Sequence, residues 1–156
     1  MRTLILSALL LFSLPAAAGV SVAFLDSSRY TDAGSDPAEV ERNTAEIAKY
    51  LEGLGNKYLK PDQMLRIEVL DIDLAGRPRM HRSSPNDIRV LNGGADWPRI
   101  KLKYTLEAKG EAPRSAEENL ADMNYMMNPD RTGASLAYEK RMLDHWFRAR
   151  FAQKAR

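Results

Sequence analysis

The sequence predicts an α+β fold, a two-layer sandwich in which two helices pack on one face of a mostly antiparallel or mixed sheet of four to five strands. Apolar and polar side chains alternate strictly from Ile100 to Leu106, which is typical of a strand with one buried face and one face in water. Two other segments carry apolar residues at every third or fourth position, as amphipathic helices do. Because the alternation is one-sided, we expect helices on only one face of the sheet.

The first helix is expected to begin after Asp36, with Pro37 at the first helical position and Glu39 completing a capping box. Gly53 and Gly55 offer stops for its C-terminal end. The apolar stripe of this helix consists of Val40, Thr44, Ile47, Leu51 and Leu54.

The second helix is expected from about Ser135 to Phe151, and Glu139 lies within its apolar stripe. A buried carboxylate needs a partner, and Arg99 is one candidate. A structural ion pair is the favoured interpretation, and a catalytic acid with a shifted pKa is the alternative.

The expected strands cover residues 20–25, 64–74, 88–91, 100–106 and 115–120. The last two strands are expected to form a hairpin. The turn is predicted at Ala108–Glu111, where Gly110 occupies a late position. Residues 75–87, which contain proline and several arginines, are expected to form a loop.

The N-terminal residues 1–18 have the features of a signal peptide. Arg2 precedes a short apolar run, and Ala16-Ala17-Ala18 matches a small-x-small cleavage site. We expect cleavage before Gly19, a periplasmic or secreted protein, no transmembrane segment after that cleavage, and a single α+β domain over residues 19–156. An uncleaved anchor or a buried helix is the alternative.

Composition excludes several classes of function. The chain has 23 Lys and Arg against 21 Asp and Glu, a near balance that gives no reason to expect nucleic acid as a partner. It has no Cys, so a disulfide, a thiolate nucleophile and a cysteine-based zinc site are excluded. The sequence also lacks a Gly-x-Ser-x-Gly elbow, a phosphate loop and a dinucleotide fingerprint.

Several short motifs carry a family resemblance. They are Val20, Val22 and Phe24 followed by Asp26, then Glu68–Gly76, Asp96–Ile100, Leu120–Tyr125, and Tyr138–Lys140 with Trp146 and Phe147. Together they resemble the bacterial exported family known as domain of unknown function 3016. The resemblance extends over nearly all of residues 19–156. It implies a periplasmic or exported protein and assigns no activity to any residue.

Asp71 and Asp73 stand two apart on an expected strand, so both carboxylates point to one side and continue its apolar face. At the rim of a core they could hold a divalent cation with Asp122 or Asn124, or act as an acid–base pair. An Asp-x-Asp pattern is common, and the favoured interpretation is that both side chains are solvated or pair with a nearby arginine.

A second group of candidates is basic and aromatic. Arg77, Arg79 and Arg82 follow the two aspartates, and their guanidinium groups could grip an anionic ligand such as a lipid headgroup or a cell-wall carboxylate. Simple solvation is the favoured interpretation for such a loop. Trp97, before Pro98, could stack on a sugar, but it could equally anchor the core or its rim.

Met123, Met126 and Met127 surround Tyr125. Thioethers can bind a soft ion such as Cu(I), but methionine is a common filler of irregular core gaps, and we favour that interpretation. If the segment lies outside, it offers an apolar contact surface, and Tyr125 would belong to a ligand-binding site.

These features favour a non-enzymatic accessory or binding domain of the cell envelope, whose partner is another envelope protein or a cell-wall component. It would bind through the sheet face of Lys101 and Lys103, the arginine loop or the methionine segment. The alternative is a small metal-dependent hydrolase built on Asp71, Asp73 and Asp122. No cofactor is expected unless these carboxylates hold a divalent metal.

Overall fold

A computed structural model describes residues 19–79 and 88–152 of the chain. The helices are α1 (Pro37–Tyr58) and α2 (Ala137–Phe151). The strands are β1 (Gly19–Phe24), β2 (Gln63–Asp73), β3 (Arg77–Arg79), β4 (Ile88–Val90), β5 (Arg99–Ala108) and β6 (Arg114–Ala121). The predicted signal peptide and Arg82 lie outside the described residues.

Four strands form a mixed sheet in the order β1-β2-β5-β6. β1 runs parallel to β2, whereas the pairs β2–β5 and β5–β6 are antiparallel. Both helices pack on the same face of this sheet, so the predicted α+β sandwich is confirmed. The largest fully buried side chains of the core include Ile47, Leu51, Leu65, Ile67, Leu102, Leu143 and Phe147.

The β5–β6 hairpin agrees with the alternation seen in the sequence. Ile100 and Leu102 are buried, whereas Lys101 and Lys103 are exposed. The turn is closed by a 3.2 Å hydrogen bond from the Glu111 amide to the Ala108 carbonyl, and Gly110 has a φ of 79°. The polar side of the sheet is therefore its outer face.

A β-bulge at Leu70 changes the direction of the second half of β2. The register against β5 shifts between Val69 and Asp71, so Leu70 is an extra residue on β2. An extra residue exchanges the two faces of the strand beyond it. Ile72 continues the buried face, and Asp71 and Asp73 lie opposite β5 residues of the outer face. The expectation that these two aspartates continue the apolar face of β2 is therefore wrong.

The start of α1 matches the prediction and its end does not. The Asp36 carboxylate accepts a 2.8 Å hydrogen bond from the Glu39 amide. The helix continues through both Gly53 and Gly55 to Tyr58. Gly55 is needed inside the helix because a Cβ there would lie 2.2 Å from Cγ2 of Val20 on β1.

Two other boundaries differ from the prediction. β3, at residues 77–79, lies in a segment expected to be a loop, and it pairs with β4 in a separate two-stranded sheet. α2 begins at Ala137 rather than Ser135, after Leu136 adopts a left-handed φ of 52°. Within the described ranges, neither α1 nor α2 has the length and apolar composition needed to cross a membrane.

Candidate functional site

Three neighbouring methionines form an exposed apolar surface between β6 and α2. The side chains of Met123, Met126 and Met127 are 69%, 39% and 76% exposed. Met126 and Met127 belong to a short 3-10 turn at Tyr125–Met127, and Met123 precedes it. We call these three side chains the methionine platform. Their exposure shows that the interpretation as core filler is wrong.

Tyr125 anchors the platform from below. It is 1% exposed, and its hydroxyl donates a 2.8 Å hydrogen bond to the carboxylate of Asp96. The same hydroxyl oxygen accepts a 3.3 Å hydrogen bond from the Gly93 amide, and the ring packs edge-to-face on Tyr138 at 5.1 Å. Tyr125 is therefore an interior anchor of this segment, and its assignment to a ligand-binding site stays a prediction.

The carboxylate of Asp96 is buried with Tyr125 and remains ionised. Burial acts to raise its pKa, but hydrogen bonds from the Asn92 amide and the Tyr125 hydroxyl outweigh burial, and the pKa lies below its usual value. The Asn92 amide donates at 2.8 Å. Burial and the hydrogen bond to Asp96 raise the pKa of Tyr125, so the tyrosine stays protonated and the carboxylate charged.

Arg141 of α2 holds the two ends of the platform segment. Its guanidinium donates a 2.6 Å hydrogen bond to the Tyr125 carbonyl and another hydrogen bond to the Asn128 carbonyl. It also lies 3.5 Å from the Asp122 carboxylate. One side chain of a core helix thus fixes the backbone beneath the methionines. Because this backbone is already ordered, the entropic cost of binding a partner is lower.

The candidate metal ligands lie on two sides of the sheet. Asp71 accepts hydrogen bonds of 2.7 and 2.8 Å from the amide and hydroxyl of Thr31, and Asp73 pairs with Arg99 on the same outer face. Asp122 instead faces Arg141 of α2. The structure therefore brings Asp71 and Asp73 together and separates Asp122 from them. Within residues 19–79 and 88–152, no group of three His, Cys, Asp or Glu side chains is placed to hold a metal ion.

The candidate ligand-binding arginines are spread along an exposed strand. Arg77 and Arg79 are both exposed on β3. Arg77 lines a cleft of about 1040 Å³ between the loop before α1 and the end of β2, and Arg99 lies in the same cleft. Trp97 is half-buried, with the Arg99 guanidinium 5.2 Å from its ring centre. Anion binding by these arginines stays a prediction, as does sugar stacking on Trp97.

Glu139 is buried, as predicted, but its partner is different. It is 3% exposed, and its carboxylate accepts a 2.7 Å hydrogen bond from the Ala75 amide. Burial raises its pKa against the opposing effects of this hydrogen bond and of the Arg89 charge. Arg89 pairs with Asp32 at 2.8 Å. The proposed partner Arg99 is engaged by Asp73 instead, because the bulge in β2 brings Asp73 to the same face.

The outer sheet face carries paired rather than uniform charge. Lys101 lies 2.9 Å from Glu117, and Lys103 lies 4.0 Å from Glu68. Such exposed pairs contribute between about 0 and 1 kcal/mol each. Their net charge is close to zero, so this face offers no concentrated positive potential for an anionic partner.

Sequence reasoning missed two residues that organise the site. Asp96 belongs to a quoted motif, but nothing near it in the sequence indicates that it bonds to Tyr125, which is 29 positions away. Arg141 looks like any arginine on the polar side of a helix. A buried tyrosine hydroxyl needs a polar partner, and that requirement is the one signal that could have suggested an acceptor such as Asp96.

Comparison with known proteins gives a family. The profile described as "Protein of unknown function (DUF3016)" matches residues 18–149. No curated protein matches the chain significantly, and no solved structure does. Because the match covers most of the chain, the resemblance seen in the sequence motifs is confirmed, and the chain belongs to the DUF3016 family.

Proposed function

We propose that this protein is an exported, non-enzymatic binding domain of the cell envelope that docks on a partner protein through its methionine platform. The observation that carries the proposal is the exposure of the three platform methionines on a backbone fixed by Arg141 and Tyr125. The remaining large apolar side chain that is exposed in the described residues is Leu25.

Methionine suits such a surface for a physical reason. Its side chain is unbranched and polarizable, so it adapts to the shape of an apolar partner. Arg141 and Tyr125 already fix the backbone beneath the methionines. Docking would therefore immobilise few additional groups and lose little conformational entropy. Large exposed apolar side chains grouped on one segment of a folded chain are typical of protein–protein interaction sites.

The alternative of a metal-dependent hydrolase has less support. It requires Asp71, Asp73 and Asp122 to converge, and Asp122 faces α2 across the sheet from the other two. Asp73 is held by Arg99, and Asp71 is held by Thr31. These contacts are structural, and they occupy the carboxylates that a cation would need.

Export is tested separately by the mature N-terminus. When the full chain is expressed in a bacterial host, we expect the periplasmic fraction to contain a species that begins at Gly19, identified by intact mass. Ala16→Leu together with Ala18→Leu should block this cleavage, because the peptidase requires small residues at these positions. An uncleaved cytoplasmic chain would contradict export without bearing on the platform.

Docking is tested by capture with matched variants. Wild-type protein, a platform variant (Met123→Gln, Met126→Gln and Met127→Gln) and an outer-face variant (Lys101→Gln, Lys103→Gln and Glu117→Gln) are each used to isolate binding proteins from the native envelope. A protein that wild type and the outer-face variant retain, and the platform variant loses, is then purified. We expect its Kd to rise at least tenfold with the platform variant.

Two results would contradict docking through the platform. One is a purified partner whose Kd is the same for wild type and the platform variant. The other is the absence of any protein whose recovery depends on the platform methionines.

A further inference from the structure

The two edges of the main sheet differ in how they are protected. Edge strands expose unpaired backbone groups, and natural proteins usually guard them with charge, proline or a bulge. On β6 the charged residues are Arg114, Glu117 and Glu118. β1 has the sequence GVSVAF, without charge or proline, and its register with β2 is continuous.

The hydrogen bonds show which backbone groups of β1 face outward. The Leu25 amide donates a 3.0 Å hydrogen bond to the Val69 carbonyl of β2. Since the direction of the backbone groups alternates along a strand, those of Ser21 and Ala23 also face β2. The amide and carbonyl groups of Val20, Val22 and Phe24 therefore point away from β2, to an edge that no other strand of residues 19–79 and 88–152 pairs with.

We propose that β1 pairs antiparallel with β1 of a second copy of this chain and forms a continuous eight-stranded sheet. The two-fold axis passes through Val22, so that Val22 pairs with Val22 and Val20 pairs with Phe24 of the second copy. In this register the outward-facing groups of the three residues bond to one another across the axis. A two-fold interface uses the same surface on both copies, and an uncharged strand meets no like charge in its own copy.

The side chains of β1 support the same arrangement. Val20, Val22 and Phe24 are partly buried against the core of their own chain, and pairing would cover what remains exposed. The register also places Leu25, whose side chain is 46% exposed, opposite Gly19 of the second copy. The edge therefore offers apolar surface as well as backbone hydrogen bonds.

The helices leave room for this pairing. Strands are spaced by about 4.8 Å and packed helices by about 8–10 Å, so two helices cover the four strands of one chain. α1 lies over the β1 side of the sheet, and α2 lies over the β6 side. An eight-stranded sheet would carry four helices at the same spacing, with the two copies of α1 side by side.

Introduced cysteines test the register, because the chain has no Cys of its own. Ser21 would lie opposite Ala23 of the second copy in a pair without hydrogen bonds, with Cα atoms about 4.5 Å apart. An oxidised mixture of Ser21→Cys and Ala23→Cys proteins should form a disulfide-linked heterodimer. Either variant alone should link much less, since identical positions would be about 7–8 Å apart. As a control, a mixture of Ser115→Cys and Asn119→Cys on β6 should not link.

Proline variants test whether the edge of β1 forms the dimer, with the molecular mass in solution as the measurement. Sedimentation equilibrium of the purified mature protein, at concentrations from micromolar to submillimolar, should give the mass of two chains for wild type. Val22→Pro removes an outward amide of β1 and should give the mass of one chain. The Asp122 amide donates to the Pro98 carbonyl on the β5 side, so the even-numbered positions of β6 face β5 and the amide of Asn119 points outward. The control Asn119→Pro removes this outward amide and should remain a dimer.

Three results would overturn the proposal: a wild-type chain that is monomeric throughout this range, a Val22→Pro protein that remains dimeric, or a cysteine mixture that fails to link. If Val22→Pro does not fold, as judged by circular dichroism, the cysteine experiment decides alone. None of these outcomes depends on the methionine platform.

Discussion

The guanidinium of Arg141 lies 2.6 Å from the carbonyl oxygen of Tyr125, so a helix of the core holds the backbone beneath an exposed apolar surface. The Tyr125 hydroxyl holds the same segment from the other side through Asp96. This arrangement explains how three methionines can stay in water without folding back onto the sheet. The hydrogen bonds that Arg141 and Asp96 make with Tyr125 keep the three methionines exposed.

Replacing Arg141 should loosen the platform. Arg141→Met keeps an apolar stem but leaves the carbonyls of Tyr125 and Asn128 without their donor, which should lower the free energy of unfolding by roughly 1–3 kcal/mol. Amide hydrogen exchange over residues 122–128 should become faster than in wild type. Arg148→Met is the control, since it removes an exposed i,i+4 pair with Asp144 that contributes about 0.3–0.5 kcal/mol. Equal exchange in both variants would show that Arg141 does not hold the segment.

The buried Glu139 should make stability depend on pH in a defined direction. Burial raises its pKa in the folded chain, so its contribution to stability is greatest below the pKa of the unfolded chain and is lost as pH rises through the folded-state pKa. Glu139→Gln cannot ionise and keeps an oxygen that can accept from the Ala75 amide. Its stability relative to wild type should therefore increase with pH across this interval and then become constant, as measured by urea unfolding between about pH 4 and pH 8.

A second Glu139 variant separates charge from hydrogen bonding. Glu139→Leu removes the acceptor of the Ala75 amide, and a buried unpaired amide costs roughly 1–3 kcal/mol. We expect this variant to be less stable than Glu139→Gln at every pH. A difference between Glu139→Gln and wild type that does not vary with pH would mean that the pKa of Glu139 is the same in the folded and unfolded chains.

Two glycines of α1 should respond to alanine in opposite ways. A Cβ on Gly53 would meet no atom within 4 Å, so Gly53→Ala should raise the free energy of unfolding by about 0.5–1 kcal/mol through helix propensity. A Cβ on Gly55 would lie 2.2 Å from Val20. Gly55→Ala should therefore lower the free energy of unfolding by roughly 1–3 kcal/mol through overpacking. Thermal unfolding of the two variants would show changes of Tm in opposite directions, and a stabilising Gly55→Ala would contradict the close contact of α1 with β1.

Much of the fold could be predicted because its signals are local. The alternation in β5 and the cap at Asp36 each depend on a few neighbouring residues, and both agree with the structure. The bulge in β2 also leaves a local signal, because the apolar positions change phase between Val69 and Ile72. If a period of two is continued past this change of phase, Asp71 and Asp73 are assigned to the wrong face of the strand.

The rest depends on contacts between distant segments. Gly53 and Gly55 look alike in the sequence, and only the approach of Val20 distinguishes them. The platform could not be predicted because methionine is equally suited to a core gap and to a contact surface. Its exposure is decided by Arg141 and Asp96, which bond to Tyr125 across 16 and 29 positions of sequence.

The most direct test of the platform as a docking surface is methionine oxidation in intact native cells compared with purified protein. With dilute peroxide, Met123 and Met127 of the purified protein should form sulfoxide fastest among the methionines of residues 19–79 and 88–152, and buried Met142 slowest. The half-buried Met64 of β2 serves as an internal reference in each sample. In cells, we expect the ratio of Met127 to Met64 oxidation to fall several-fold because a partner covers the platform. An identical ratio in cells and in purified protein would show that the platform stays open to solvent, and would contradict the proposed function.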